Sequence, residues 1–230
     1  MNNFSTRVFF DAANDYFFLL NRGYPEKAGL KLVGDRHRLS GNQRNCLYRG
    51  ITSEVKASQR KSKLIQDIKN QILHVDGYNV IFTIMNYLLG KTLFIANDGL
   101  LRDSGESYGK IENNKIFSRA SELTLGYLSD NRPGHLTIYL DSTVKNFKTH
   151  SKLLEKALID HRISGEILSL RHADSGLKEI KDGIMASSDS EIIDAVSLRL
   201  ADVARQTLEM TFNIQVLDLE KLIRNPWKKF

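Results

Sequence analysis

The sequence predicts an α/β protein: a mainly parallel sheet sandwiched by helices, behind a small basic all-α N-terminal module. Three observations predict it. From about residue 70 onward, short apolar runs alternate with helical stretches, the pattern of a parallel sheet covered on both faces. Before residue 70, apolar residues recur at helical spacing instead. Charge divides at the same place: residues 1–70 hold 13 Lys and Arg against 6 Asp and Glu, and residues 71–230 hold 20 against 21. The expected organisation is therefore a basic helical module over 1–70 and an α/β domain over 71–230.

Composition narrows the class. With 230 residues, 41% of them hydrophobic and 26% charged, the chain is long enough to bury a full core and is neither disordered nor collagen-like. A single cysteine, Cys46, excludes an intramolecular disulfide and a cysteine-built zinc or iron–sulfur site. No apolar run approaches the roughly 18–20 residues of a membrane span. Residues 1–10 lack the basic and apolar regions of a signal peptide, so a soluble cytoplasmic protein with no membrane partner is expected. The net charge of +6 favours an anionic partner.

In the first module, Ala12, Ala13, Tyr16, Phe17, Leu19 and Leu20 mark a helix that Gly23 stops. Pro25 suits the start of a second helix. Residues 34–39 read as a turn. Ser40 with Gln43 forms the signature of a capping box, opening a helix that sets Arg44 and Tyr48 four apart on one face. A polar basic stretch, residues 56–63, leads into the second part.

There, residues 72–75 form a first strand and 80–89 a helix stopped by Gly90. Residues 93–96 form a second strand, followed by a polar loop and a helix over about 116–129. The third strand covers 136–140, before a helix over about 147–161. The fourth covers 166–170 and the shorter fifth 184–187. Asp189 opens a long helix reaching about Gln206, and residues 213–217 suggest a sixth strand.

In an open parallel sheet, ligands bind at the carboxyl ends of the strands. Asp76 follows the first strand, Asp98 the second, Asp141 the third and Asp189 the fifth, with Asp194 further along that helix. Carboxylates brought together repel and raise one another's pKa. Hard divalent cations such as Mg²⁺ or Mn²⁺ relieve this, and such ions support phosphodiester cleavage. Each acid also has a plainer reading. Asp189 and Asp141 suit helix or turn caps, and Asp98 in Asn97-Asp98-Gly99 suits a turn. The segment Asp76-Gly77-Tyr78-Asn79 is richer than a cap requires. Gly77 permits close backbone approach, and Asn79 can orient the carboxylate. Tyr78 suits either base stacking or the core.

Other chemistries lack their parts. There is no Walker phosphate loop, dinucleotide fingerprint or nucleophile elbow, and the six histidines include no pair at His-x-x-x-His spacing. His74 reads as a core or rim residue and Cys46 as an apolar filler.

Asp76-Gly77-Tyr78-Asn79-Val80-Ile81 resembles the opening motif of the NYN/PIN-like nuclease superfamily. Residues 139–142 and 187–190 resemble its second and third acidic strand ends. Residues 34–39, 94–103 and 187–193 further resemble an uncharacterised prokaryotic family in which a small helical domain precedes a PIN-like one. The resemblance extends over nearly the whole chain. It implies a Rossmannoid, PIN-like fold and divalent-metal-dependent ribonuclease chemistry. Asp76, Asp141 and Asp189 would bind Mg²⁺ or Mn²⁺, supported by Asn79. The fourth acid stays open among Asp98, Asp103, Glu191 and Asp194, because Ile193 stands where the NYN pattern often has an acid.

The expected function is an endoribonuclease in which a metal-activated water attacks RNA phosphodiesters. Arg36, Arg38, Arg44, Arg49, Arg60 and Lys61 would hold phosphates, although Arg36 also suits a structural ion pair. RNA is the expected partner, with DNA as a substrate and homo-oligomerisation left open. The rival is a catalytically silent RNA- or protein-binding regulator. A phosphatase is disfavoured, because Tyr78 stands where an Asp-x-Asp pair would need its second acid.

Overall fold

The computed structural model of the chain describes Phe4 and residues 6–105 and 114–224. In chain order, its first elements are four helices, α1 (Arg7–Asn21), α2 (Glu26–Arg36), α3 (Gly41–Gly50) and α4 (Glu54–Lys63). Next come β1 (Leu64–Ile65), β2 (Ile72–Asp76), α5 (Gly77–Leu88), β3 (Leu93–Ile95), β4 (Leu101–Asp103), α6 (Asn114–Asn131) and β5 (His135–Asp141). They are followed by α7 (Phe147–Asp160), β6 (Gly165–Leu170), α8 (Ala173–Lys178), β7 (Ile184–Ala186) and α9 (Ser190–Ala195). The last are β8 (Arg199–Ala201), α10 (Val203–Phe212), β9 (Leu217–Asp218) and α11 (Leu219–Arg224).

These elements form two units, one of Met1–Ser62, Lys91–Glu106 and Gln215–Phe230, the other of Lys63–Gly90 and Ser107–Ile214. The division is not a single cut near residue 70. In the first unit, Thr6 caps α1 by accepting from the Phe9 amide at 3.2 Å, and α1 buries Phe9, Ala12, Ala13, Tyr16 and Leu20 along one face. Ser40 and Gln43 form the expected capping box of α3. The apolar faces meet in a core that also takes Phe94 from β3 and Leu219, Leu222 and Ile223 from α11. Each buried side chain of this size contributes about 1.5–3 kcal/mol, so distant segments are drawn into the helical unit. Cys46 fills this core as expected, and burial pushes its thiol pKa up.

The second unit is built on a six-stranded sheet of order β1-β8-β7-β2-β5-β6, parallel at every pairing. Helices α5, α6, α7 and α10 bury apolar faces against the sheet or one another. The α/β expectation, with a parallel sheet flanked by helices and a helical N-terminal region, describes this architecture.

Three expected elements differ. Residues 93–96 supply β3 to a separate sheet of order β4-β3-β9 in the first unit. A strand's local sequence does not name its partner, and Phe94 is claimed by the helical core. The long helix from Asp189 is interrupted: Val196 turns extended at φ −96° and ψ 146°, and Arg199–Ala201 pairs with β7 and β1. Sheet pairing outcompetes the local helical pattern there, and Asp202 then caps α10 by accepting from the Arg205 amide at 3.0 Å. Of residues 213–217, only Leu217 is in a strand, beside β3, while Asn213 ends α10 with a left-handed φ of 48°. Among the described residues, no helix is long and apolar enough to cross a membrane.

Candidate functional site

All strands of the six-stranded sheet point the same way, so their carboxyl ends share one edge. Asp76 ends β2 and caps α5, its Oδ1 accepting from the Asn79 amide at 3.4 Å. Gly77 is required by proximity: a Cβ there would lie 2.7 Å from Ile138, 2.8 Å from Leu140 and 2.9 Å from the Tyr139 carbonyl. The helix therefore starts hard against β5, and Asp76 is only 7% exposed. From the neighbouring β7, the Ser187 hydroxyl donates to Asp76 Oδ2 at 2.8 Å and accepts from the Asp189 amide at 3.1 Å. Asn79 Oδ1 accepts from both the amide and the hydroxyl of Ser188, at 2.9 and 3.0 Å. The first turn of α5 and the turn after β7 are thus tied together.

On the other side of β2, Asp141 ends β5. Register pairs Asp76 with Tyr139, two residues short of Asp141. Asp141 Oδ1 accepts from the Thr143 amide and hydroxyl at 2.7 and 2.6 Å. Asp189 caps α9 by accepting from the Glu191 and Ile192 amides at 2.7 and 3.4 Å. The capping reading of Asp189 is therefore correct as far as it goes, yet its charge still acts on Asp76.

One acid was missing from the sequence reading. Asp174 stands in the first turn of α8, which packs against β2, β5, β6 and α9. The available signal was its place four residues beyond the fourth strand, the same relation to the sheet edge that drew attention to the others.

The electrostatics join these groups. The Asp76 carboxyl is pushed up to about 7, chiefly by burial, with the nearby charges of Asp174 and Asp189 adding to it against the lowering bonds from Ser187 and Asn79. Asp174 is raised by partial burial and by the charges of Asp189, Asp141 and Glu191, with Lys178 opposing. As the side chains stand, no three carboxylate, imidazole or thiol groups among the described residues form a cage for an ion.

The remaining candidates lie elsewhere. Asp98 follows β3 and so belongs to the first unit, not to the edge bearing Asp76. Arg102 donates to its Oδ1 and Oδ2 at 2.7 and 2.8 Å, and Arg60 to its Oδ2 at 3.0 Å. Burial raises this carboxyl, but the two guanidiniums outweigh it and hold the pKa below the ordinary value. Asp98 is thus a structural counterion rather than part of the acidic edge. Asp103, in the same unit, is buried beside Arg49 at 3.8 Å. Asp194 is exposed at the far end of α9 from Asp189, and Glu191 pairs with Lys178 at 3.1 Å.

The basic candidates also sort by partner. Arg60 is 5% exposed and committed to Asp98, so it does not face a phosphate. Arg44 bonds Asp35 at 2.9 Å and the Leu39 carbonyl at 3.1 Å. Arg36 lies 3.8 Å from Asp15, the structural pairing its sequence context suggested. Lys61 pairs with Glu220. Arg38 is exposed. Tyr78 is buried, settling its choice in favour of the core, and His74 bonds the Tyr139 hydroxyl at 3.1 Å at the sheet.

Residues 65–206 match the model of a domain of unknown function, DUF5616, and this covers more than half of the chain. The chain belongs to the DUF5616 family. A protein family of unknown function, DUF434, matches residues 8–63. The DUF5616 segment holds Asp76, Asp141, Asp174 and Asp189, and the DUF434 segment holds all six basic candidates. An uncharacterised protein of Methanocaldococcus jannaschii is 28% identical over 201 residues, covering 86% of this chain and 95% of that protein. No solved structure matches.

Proposed function

We propose that this DUF5616 protein is a PIN-like, divalent-metal-dependent endoribonuclease. The observation that supports the reading is the placement of Asp76, Asp141, Asp174 and Asp189, at or just after the carboxyl ends of four strands, along one edge of a parallel sheet. Keeping so much negative charge around a buried carboxyl is costly unless a cation offsets it. The donors are carboxylate oxygens with hydroxyl and amide oxygens behind them, a set suited to Mg²⁺ or Mn²⁺. Asp76, Asp189, Asp141 and Asp174 would hold such an ion, which supplies water activation and neutralises charge on a phosphodiester. Ser187 and Asn79 fix the Asp76 carboxylate and the turn that carries Asp189, so the acids keep their spacing while a substrate enters. In the first unit, exposed Arg38 and the solvent-facing Arg36 are the residues suited to RNA phosphates.

A second reading has its own observation. Asp141 and Asp189 each already spend an oxygen on a local turn, which suits a catalytically silent RNA- or protein-binding regulator. The test is cleavage of single- and double-stranded RNA by the full chain with Mn²⁺, with EDTA, and after Asp76→Asn. Cleavage that needs Mn²⁺ and Asp76 supports the nuclease. Intact RNA, with RNA binding unchanged by Asp76→Asn, favours the regulator, and cleavage that survives EDTA overturns the metal mechanism.

A further inference from the structure

We infer that His150 is a positioning residue of the acidic site, acting through Tyr78 to set the spacing between Asp76 and Asp141. The inference rests on the metal-dependent reading above. Tyr78 stands in the first turn of α5, directly after the Asp76 cap. His150 stands in the first turn of α7, the helix that follows β5 and Asp141. The Tyr78 hydroxyl lies 3.1 Å from His150 Nδ1, and both residues are buried. This bond joins the two helix starts that flank the acidic edge.

The ring is held in one orientation. It stacks on Phe117 of α6, with centroids 3.9 Å apart and planes at 15°, and meets the Tyr78 ring edge-on at 5.8 Å. Burial lowers the imidazole pKa, so the ring is neutral at pH 7. With the phenol donating to Nδ1, the ring proton resides on Nε2. Nε2 is buried with no hydrogen-bond partner among the described residues, a cost that an apolar ring in the same slot would avoid. What the imidazole gains over such a ring is its bond to Tyr78. The Tyr78 phenol also feels the Asp141 charge, so Tyr78 adjoins one acid by sequence and the other by field.

The test is Mn²⁺ titration calorimetry on the full chain. Tyr78→Phe and His150→Phe keep the ring packing and remove the bond. Each is expected to weaken Mn²⁺ binding about fivefold, the effect of one neutral hydrogen bond. The double variant is expected to be no weaker than either single, because both delete the same bond. His150→Asn, which keeps an acceptor near the Nδ1 position, is expected to restore binding. Wild-type affinity in both single variants, whatever their melting temperatures, overturns the inference, as does an additive double variant. Wild-type protein that takes up no Mn²⁺ overturns the metal-dependent reading itself, and the inference with it.

Discussion

Asp76→Asn should stabilise the metal-free protein, and should do so only above acidic pH. The folded state holds the Asp76 proton to about pH 7, against an ordinary value of 3.8. A folded pKa raised above the unfolded one means that the native chain binds the proton more tightly. Stability is therefore highest below about pH 4, falls as pH rises to 7, and stays low above it. At 1.36 kcal/mol for each pH unit between the two midpoints, ionising Asp76 costs about 4 kcal/mol of folding free energy. Asparagine cannot ionise, its one side-chain oxygen can keep the α5 cap, and its amide group can donate to the Ser187 hydroxyl oxygen in place of the bond that Asp76 accepts. Urea denaturation in EDTA should show a difference of only about 1 kcal/mol between the two proteins at pH 4.5. At pH 8 the variant should lead by up to about 4 kcal/mol. Added Mn²⁺ should close the gap by stabilising the wild type alone. Parallel stability–pH curves for the two proteins would refute the reasoning, because Asp76 would then not be the group whose charge the fold resists.

Asp98→Asn should behave oppositely. It takes the shared carboxylate from two buried guanidiniums at a cost of about 3–5 kcal/mol by denaturation, yet Mn²⁺ affinity should not change. Because the folded pKa of Asp98 is lowered, its contribution is present above pH 3.8 and disappears only in stronger acid. Gly77→Ala should cost about 1–3 kcal/mol in a thermal melt through overpacking against β5; an unchanged melting temperature would mean that α5 is not seated where its start requires glycine. Arg38→Ala should weaken RNA binding and reduce its salt dependence by about one counterion. Arg60→Met should instead show its effect in folding, so a salt slope altered by Arg60→Met without loss of stability would contradict its buried pairing.

Local chemistry was legible in the sequence where one segment determines its own structure. The Ser40–Gln43 box, the Asp189 cap and most strand positions depend on neighbours a few residues away. Long-range competition was not legible. Arg199–Ala201 lies within a helical pattern, and only the exposed edge of β7 makes it a strand. Asp98 looked like the other strand-end acids because nothing near residue 93 reveals that Phe94 is needed in a different core. Asp174 was overlooked for the converse reason. It follows a strand end through a short intervening turn, and its neighbours in sequence do not reveal how many distant acids it faces. The basic excess before residue 70 was real as a count, but part of it is spent on acids beyond that stretch, Arg49 beside Asp103, Arg60 on Asp98 and Lys61 on Glu220.

The helical unit is assembled from three separate stretches of chain. Phe9 and Tyr16 leave the ribosome early, while Leu219, Leu222 and Ile223, which share their core, are among the later residues synthesised. During translation the opening helices must therefore wait, apolar faces uncovered, until residues 219–223 have emerged. The parallel-sheet unit, nested between these stretches, can complete its strands sooner. Nascent chains stalled short of residue 219 should thus be the species most in need of chaperones, and cutting the gene near residue 70 would divide the helical unit while leaving most strands of the six-stranded sheet on one fragment.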